Sequence, residues 1–102
     1  MASVIVTFNI MPEGVEINLQ ELEKEVKEKI IDFAGPDFKE DSDIKIEIVD
    51  VAFGLKALDI KAIFDESRGG TEELENNITE IEGVKSVEVT DVRRIIGWYY
   101  EN

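Results

Sequence analysis

The spacing between apolar residues switches along this chain between the two-residue repeat of a β-strand and the three- to four-residue repeat of an amphipathic helix. Glycine, proline or aspartate residues separate most of the segments, as turns require. The successive segments are a strand at 4–10, a helix after 18, strands at 44–53 and 58–64, a helix after 71, and a strand from 84 to about 95. The predicted order is therefore βαββαβ.

The first strand and the first helix have clear inner faces. Phe8 alternates in phase with its apolar neighbours, so we expect it in the core rather than on an open binding face. Asn18 is a typical N-cap, and Glu21 stands three residues later as in a capping box. The helix that follows is predicted to be about 14 residues long, with its apolar stripe formed by Leu19, Leu22, Val26 and Ile30.

The two middle strands meet at Gly54, which predicts a hairpin. Their alternation slips near 49–51, where we expect a β-bulge. The second helix is predicted to begin after an N-cap at Thr71 and to end at Gly83. Gly69 and Gly70 precede it, but no lysine follows them as in a phosphate-binding loop, so they predict a turn.

Two β–α–β halves most economically form an α+β, ferredoxin-like sandwich. Such a fold has a four-stranded antiparallel sheet in the order 4-1-3-2 and both helices on one face. A length of 102 residues suits a single domain, with about 98–102 as a C-terminal tail.

Composition excludes several kinds of chemistry. The chain has no cysteine and no histidine, so thiolate chemistry, a metal-chaperone cysteine pair and histidine general-base catalysis are excluded. A formal net charge of −13 argues against binding nucleic acid. It suits either a basic protein partner or solubility alone. No membrane span is apparent, and we expect a cytoplasmic protein without a cofactor or bound metal.

Two local features remain unexplained by a generic fold. Phe53 lies beside Gly54 at the predicted hairpin tip, where it either anchors a partner or tucks under the hairpin as core. Arg93 and Arg94 are two of only three arginines in an acidic chain. They either balance nearby carboxylates, such as Glu88 and Asp91, or contact a partner. Neighbouring strand residues alternate, so the two arginines should face opposite sides of the sheet.

Four blocks together resemble the archaeal elongation factor one-beta family, whose members exchange nucleotide on the translational GTPase elongation factor one-alpha. The blocks are "IMPEG" at 10–14, "AFGLKAL" at 52–58, "GGTEE" at 69–73 and "IEGVKSVEVTDVRRIIG" at 81–97. They occur in order over nearly the whole chain. The fold of that family is similar to the one predicted above.

The resemblance implies an exchange factor that acts by binding, without bond chemistry of its own. It implies a hairpin end that docks on the GTPase's β-barrel domain, through Phe53, Gly54 and Lys56. The opposite end would reach the nucleotide domain, through Asp91, Arg93, Arg94, Ile96, Gly97 and Trp98. Eukaryotic members carry a lysine at the magnesium site near a position that corresponds to Gly97. One of the two arginines is a candidate substitute for that cation.

The main alternative is a ferredoxin-like ligand-sensing or protein-interaction domain without exchange activity. That class pairs its sheets in dimers and binds metabolites between the copies. For the exchange factor we expect elongation factor one-alpha as partner, no direct nucleic acid or membrane contact, and a monomer or weak self-association. The aromatic tail from Trp98 to Tyr100 is predicted to pack on the sheet, contact the GTPase or bind a second copy.

Overall fold

A computed structural model describes residues 2–96 of the chain. Its elements are β1 (Ala2–Pro12), α1 (Leu19–Ala34), β2 (Ile44–Ala52), β3 (Leu55–Asp65), a 3₁₀ turn (Glu66–Arg68), α2 (Glu72–Thr79) and β4 (Val84–Ile96). The predicted order βαββαβ is confirmed. The strands extend one to three residues beyond most of the predicted limits.

The four strands form one antiparallel sheet in the order β2-β3-β1-β4. This order is the predicted 4-1-3-2 counted from the opposite edge, and the fold is the predicted α+β, ferredoxin-like sandwich. The register between β2 and β3 shifts between Asp50 and Ala52, which confirms the expected bulge. A second shift between β1 and β4 falls after Thr7.

Both helices cover the same face of the sheet, and one apolar cluster lies between the two layers. Its strand members include Phe8 and Ile60, and its helix members include Val26 and Ile78, all fully buried. Phe64 extends the cluster through edge-on packing with Phe8, at 6.5 Å between ring centroids. The prediction that Phe8 belongs to the core is confirmed.

The N-terminus of α1 is capped as predicted, because the Asn18 side chain accepts hydrogen bonds from the backbone N–H groups of Gln20 and Glu21.

The predicted end of α2 at Gly83 is wrong, since the helix ends at Thr79. The hydroxyl of Thr79 donates to the carbonyl of Glu75, a bond that slightly destabilises the last turn of the helix. The chain then tightens so that buried Ile81 packs into the core. Gly83, with φ of 100°, serves instead as the turn into β4.

At the start of α2, Thr71 is the N-cap residue, but its hydroxyl donates to the Glu75 carboxylate rather than capping the backbone.

The antiparallel register fixes what lies at each end of the sheet. Pro12 of β1 pairs with the start of β4, and the β2–β3 hairpin projects at that end. At the other end Ser3 pairs with both Asp65 and Ile95. The hairpin and the end of β4 are therefore at opposite ends of a molecule that is 42 Å long and 27 by 22 Å across, as predicted.

Candidate functional site

The hairpin end consists of the tip of the β2–β3 hairpin and the loop after β1. Phe53 and Gly54 occupy the two central positions of the turn, with φ angles of 53° and 82°. Positive φ at both positions is the requirement of a type I′ turn, whose twist matches that of the strands. Phe53 is fully exposed, at 103% relative accessibility. Of the two alternatives for this residue, the exposed one is therefore observed.

Phe53 is an unusual residue for this position. It is the only non-glycine residue among residues 2–96 with positive φ. The left-handed conformation costs an ordinary L-residue about 1–2 kcal/mol, and the exposed ring recovers no burial energy. Asparagine or glycine would suit the turn better. Neither the fold nor the turn explains a phenylalanine here, which is the pattern expected of a residue kept for binding.

An ion pair and two exposed aliphatic residues lie at the same end of the sheet as Phe53. The Lys56 ammonium lies 2.6 Å from the Asp50 carboxylate across the hairpin. Val51 and Val15 are exposed large aliphatic residues. A cleft of about 110 Å³ separates the loop after β1 from the hairpin, and Val15, Gly54 and Lys56 help to line it. The hairpin end thus offers a fixed apolar surface of the kind that fills a partner's pocket.

The arginine end consists of the last residues of β4 and the 3₁₀ turn after β3. Arg94 stands opposite Val4, which packs against the core, and Arg93 stands opposite Ile5. The two arginines therefore lie on opposite faces of the sheet, as predicted. Arg93 is on the face without helices, and its side chain is 77% exposed.

Each member of the arginine pair has a carboxylate partner. The Arg93 Nε lies 2.9 Å from Asp91 Oδ2, two residues back on the same strand. The Arg94 guanidinium contacts Glu66 through two bonds, Nε to Oε2 at 2.8 Å and Nη2 to Oε1 at 3.1 Å. This two-bond geometry is the strong form of an arginine–carboxylate pair. The expected charge balance is present for Arg93 through Asp91, and Arg94 uses a residue that the sequence analysis did not single out.

Two residues of this end were missed from sequence, Glu66 and Arg68. Both belong to the 3₁₀ turn, which follows β3 and therefore lies at the same end of the sheet as the C-terminus of β4. The predicted strand order already puts the residues after β3 at the same end of the sheet as the last residues of β4. All three arginines of the chain consequently lie at one end.

The 3₁₀ turn is held at its start by Asp65. The Asp65 carboxylate accepts a hydrogen bond from the backbone N–H of Ser67 at 2.8 Å. Hydrogen bonds from Ser67 lower the pKa of Asp65 below its usual value. A groove of about 360 Å³ opens beside this turn, lined in part by Ser3, Asp65 and Arg68.

A family model and individual relatives all point to the same protein family. Residues 5–95 match the family described as the EF-1 guanine nucleotide exchange domain. The chain is 38% identical over 96 residues to elongation factor 1-beta of Methanothermobacter thermautotrophicus, covering 94% of this chain and all of that protein. It is 39% identical to elongation factor 1-beta of Staphylothermus marinus (93% and 99% covered) and 40% identical to that of Methanosarcina barkeri (93% and 100%). The chain belongs to the EF-1 guanine nucleotide exchange domain family.

The matched range of this exchange domain includes the hairpin tip and the arginine pair, so both ends belong to the part shared with the family. Ile96 is the last described residue of β4, opposite Ala2. Gly97, Trp98 and the rest of the predicted tail, to residue 102, lie outside the described residues.

Two further observations concern residues 2–96 of the exchange domain. No helix in that range is long and apolar enough to cross a membrane. Within the same range, acidic side chains do not gather in groups of three or more that could hold a metal ion.

Proposed function

We propose that this chain promotes the release of GDP from translation elongation factor one-alpha, so that GTP can bind in its place during protein synthesis. Membership of the EF-1 guanine nucleotide exchange domain family over residues 5–95 carries the proposal. The relatives named elongation factor 1-beta, matched over essentially their full length, support it. They also favour exchange over the alternative of a ligand-sensing domain.

The exchange would follow from differential binding. A factor that binds the nucleotide-free GTPase more tightly than the GDP-bound form must weaken GDP binding by the same ratio. A factor with equal affinity for both forms would exchange nothing. No covalent step is required, and we propose that the chain has no bond chemistry of its own.

The two ends would have different tasks. Phe53, Gly54 and Lys56 would dock on the β-barrel domain of the GTPase, which the exposure of Phe53 supports. Asp91, Arg93, Arg94, Ile96, Gly97 and Trp98 would meet the nucleotide domain. An arginine there would compete for the carboxylates and phosphates around the magnesium ion. The separation of the ends along a 42 Å molecule suits contact with two domains at once.

Several smaller proposals follow from this function. Residues 1–102 would act as one exchange domain in the cytoplasm, as a monomer or with weak self-association. A net charge of −13 supports a basic protein surface as the target and gives no support to contact with nucleic acid or membranes.

The test is a release assay with fluorescent GDP bound to elongation factor one-alpha. Catalytic amounts of the chain should accelerate release in the presence of excess GTP. Replacement of both Arg93 and Arg94 with alanine should lower the maximal rate by roughly tenfold or more, since a hydrogen bond to a charged group contributes about 1.5–3 kcal/mol.

A matched control is Lys45→Ala together with Lys61→Ala. It also removes two cations, and each of these lysines is paired with a carboxylate on its own strand. The control should exchange at the wild-type rate. If the wild-type chain does not accelerate release, the proposed function is wrong. If the arginine variant releases GDP at the wild-type rate, the role of the arginines is wrong.

A further inference from the structure

The last third of β4, residues 92–96, is held mainly by its pairing with residues 2–6 of β1. Val92, on the same side of the strand as Arg94, is 60% exposed, so the helices give this side of the segment little cover. β4 is an edge strand, so it pairs with β1 alone. Its register with β1 also shifts just before this segment, between Thr7 and Phe8. Such a segment is free to bend or fray unless a side chain fixes it.

One ion pair provides that restraint. Among residues 2–96, the contact between Arg94 and Glu66 is the only ion pair that joins β4 to another element. β1 lies between β4 and β3, so the pair spans two strand spacings, about 10 Å. Its two parallel bonds fix the direction of the guanidinium as well as its distance.

The carboxylate partner is itself held by the backbone. Glu66 opens the 3₁₀ turn directly after β3, and Asp65 caps that turn through the N–H of Ser67. The Glu66 carbonyl accepts from the N–H of Gly69 at 3.1 Å. Glu66 therefore belongs to a short, closed turn and not to an open loop, which makes it a fixed point for β4.

We propose that Glu66 is a positioning residue for nucleotide exchange, which acts by holding Arg94 and thereby aiming the end of β4. The inference rests on the proposed function. This narrows the proposed contact with the nucleotide domain, because Arg94 now supports the strand instead of touching the GTPase. Arg93, whose carboxylate partner is on its own strand, is the cation presented to the GTPase.

The first test compares exchange kinetics of Glu66→Gln with wild type over a range of factor concentrations. The maximal rate should fall by about two- to fivefold, the range expected for loss of one partly exposed ion pair. The half-saturating concentration should stay unchanged, because the hairpin end is untouched. Glu47→Gln is the matched control, since it breaks an ion pair with Lys45 at 3.5 Å on β2 and should leave both constants unchanged.

The second test exchanges the two charges, with Glu66→Arg and Arg94→Glu combined. If Arg94 only supports the strand, the reversed pair should restore at least half of the wild-type maximal rate, whereas Arg94→Glu alone should not. A loss of maximal rate in Glu66→Gln that the reversed pair leaves uncorrected would overturn the assignment. So would a Glu66→Gln variant with the wild-type maximal rate.

The third test needs no GTPase and separates this inference from the proposed function. Backbone amides of residues 92–96 should exchange with deuterium about two- to fivefold faster in Glu66→Gln than in wild type. Amides of the β2–β3 hairpin should not change. If the wild-type chain proves inactive in exchange but this difference appears, the proposed function falls and the restraint on β4 stands. Equal amide exchange in both proteins would overturn the restraint.

Discussion

The two ends of this molecule hold their exposed side chains in opposite ways. At the hairpin end, Phe53 contacts nothing that holds its ring, and the turn backbone alone sets its direction. At the arginine end, the backbone is an edge strand with little cover, and ion pairs to Asp91 and Glu66 set the directions of Arg93 and Arg94. At one end the backbone sets the direction of an exposed apolar side chain, and at the other end ion pairs set the directions of charged ones.

This difference suggests a division of labour. The turn fixes the direction of the Phe53 Cα–Cβ bond, and an apolar anchor of this kind supplies affinity to any state of the partner that offers a pocket. Affinity of that kind does not by itself displace a nucleotide. A charged group that can leave one carboxylate for another binds a magnesium-filled site and an empty site with different affinities. Only such a difference in affinity between the two states promotes nucleotide release.

The largest expected effect separates affinity from rate at the hairpin end. Phe53→Ala should raise the half-saturating concentration for exchange roughly 30-fold, the result of losing a buried aromatic anchor that contributes about 2 kcal/mol. The maximal rate should stay close to wild type. Steady-state release of fluorescent GDP at increasing factor concentration measures both constants.

Phe53→Tyr is the control for that variant, because it keeps the ring and should bind within a few-fold of wild type. A Phe53→Ala protein with normal half-saturation and a reduced maximal rate would reverse the roles of the two ends.

The complementary change is at the arginine end. Arg93→Ala should lower the maximal rate by roughly tenfold, since a hydrogen bond to a charged group is worth about 1.5 kcal/mol or more. The half-saturating concentration should hardly move. The same release assay measures this, and an unchanged maximal rate would exclude Arg93 as the presented cation.

Most of the architecture could be predicted from sequence because one periodic signal dominates each element. The alternation around Phe8 and the helical spacing of Leu22 and Val26 match the buried positions of the structure. The end of α2 was predicted wrongly because the prediction relied on Gly83 alone, whereas the helix ends at Thr79 and Gly83 belongs to the turn that follows. Residues such as glycine show that a turn is present more reliably than they show at which residue a short helix ends.

The candidate site was only partly predictable. Strand alternation correctly separated Arg93 from Arg94, and strand order correctly put them far from Phe53. Whether Phe53 was exposed depended on how the turn closes, which periodicity does not report. Glu66 was missed because its partner is 28 residues away. The strand order puts the two residues at the same end of the sheet, but their side-chain pairing follows only from the register.

A third prediction tests whether the hairpin end sacrifices stability for binding. Phe53→Asn should stabilise the protein by about 1 kcal/mol, because asparagine tolerates positive φ and Asn-Gly is favoured in type I′ turns. The same variant should bind the GTPase as poorly as Phe53→Ala does. Urea unfolding of both variants and wild type measures the difference, and a less stable Phe53→Asn protein would show that the ring has a structural role.

The smallest expected effect concerns the support of the arginine end. Hydrogen bonds from Ser67 lower the pKa of Asp65, so its ionised form stabilises the folded 3₁₀ turn. A lowered pKa in the folded state means that this stabilisation is complete above the unfolded value of about 3.9 and is lost as the pH falls through the folded pKa below it. Asp65→Asn should therefore show faster amide exchange at Ser67 than wild type at pH 6, and the two proteins should converge as the pH falls below the folded pKa of Asp65. Amides of the hairpin serve as the internal reference, since Asp65 is at the other end of the sheet. A difference between the two proteins that persists unchanged after the Asp65 carboxyl is protonated, as followed by its carbon chemical shift, would show that the charge of Asp65 is not what holds the turn.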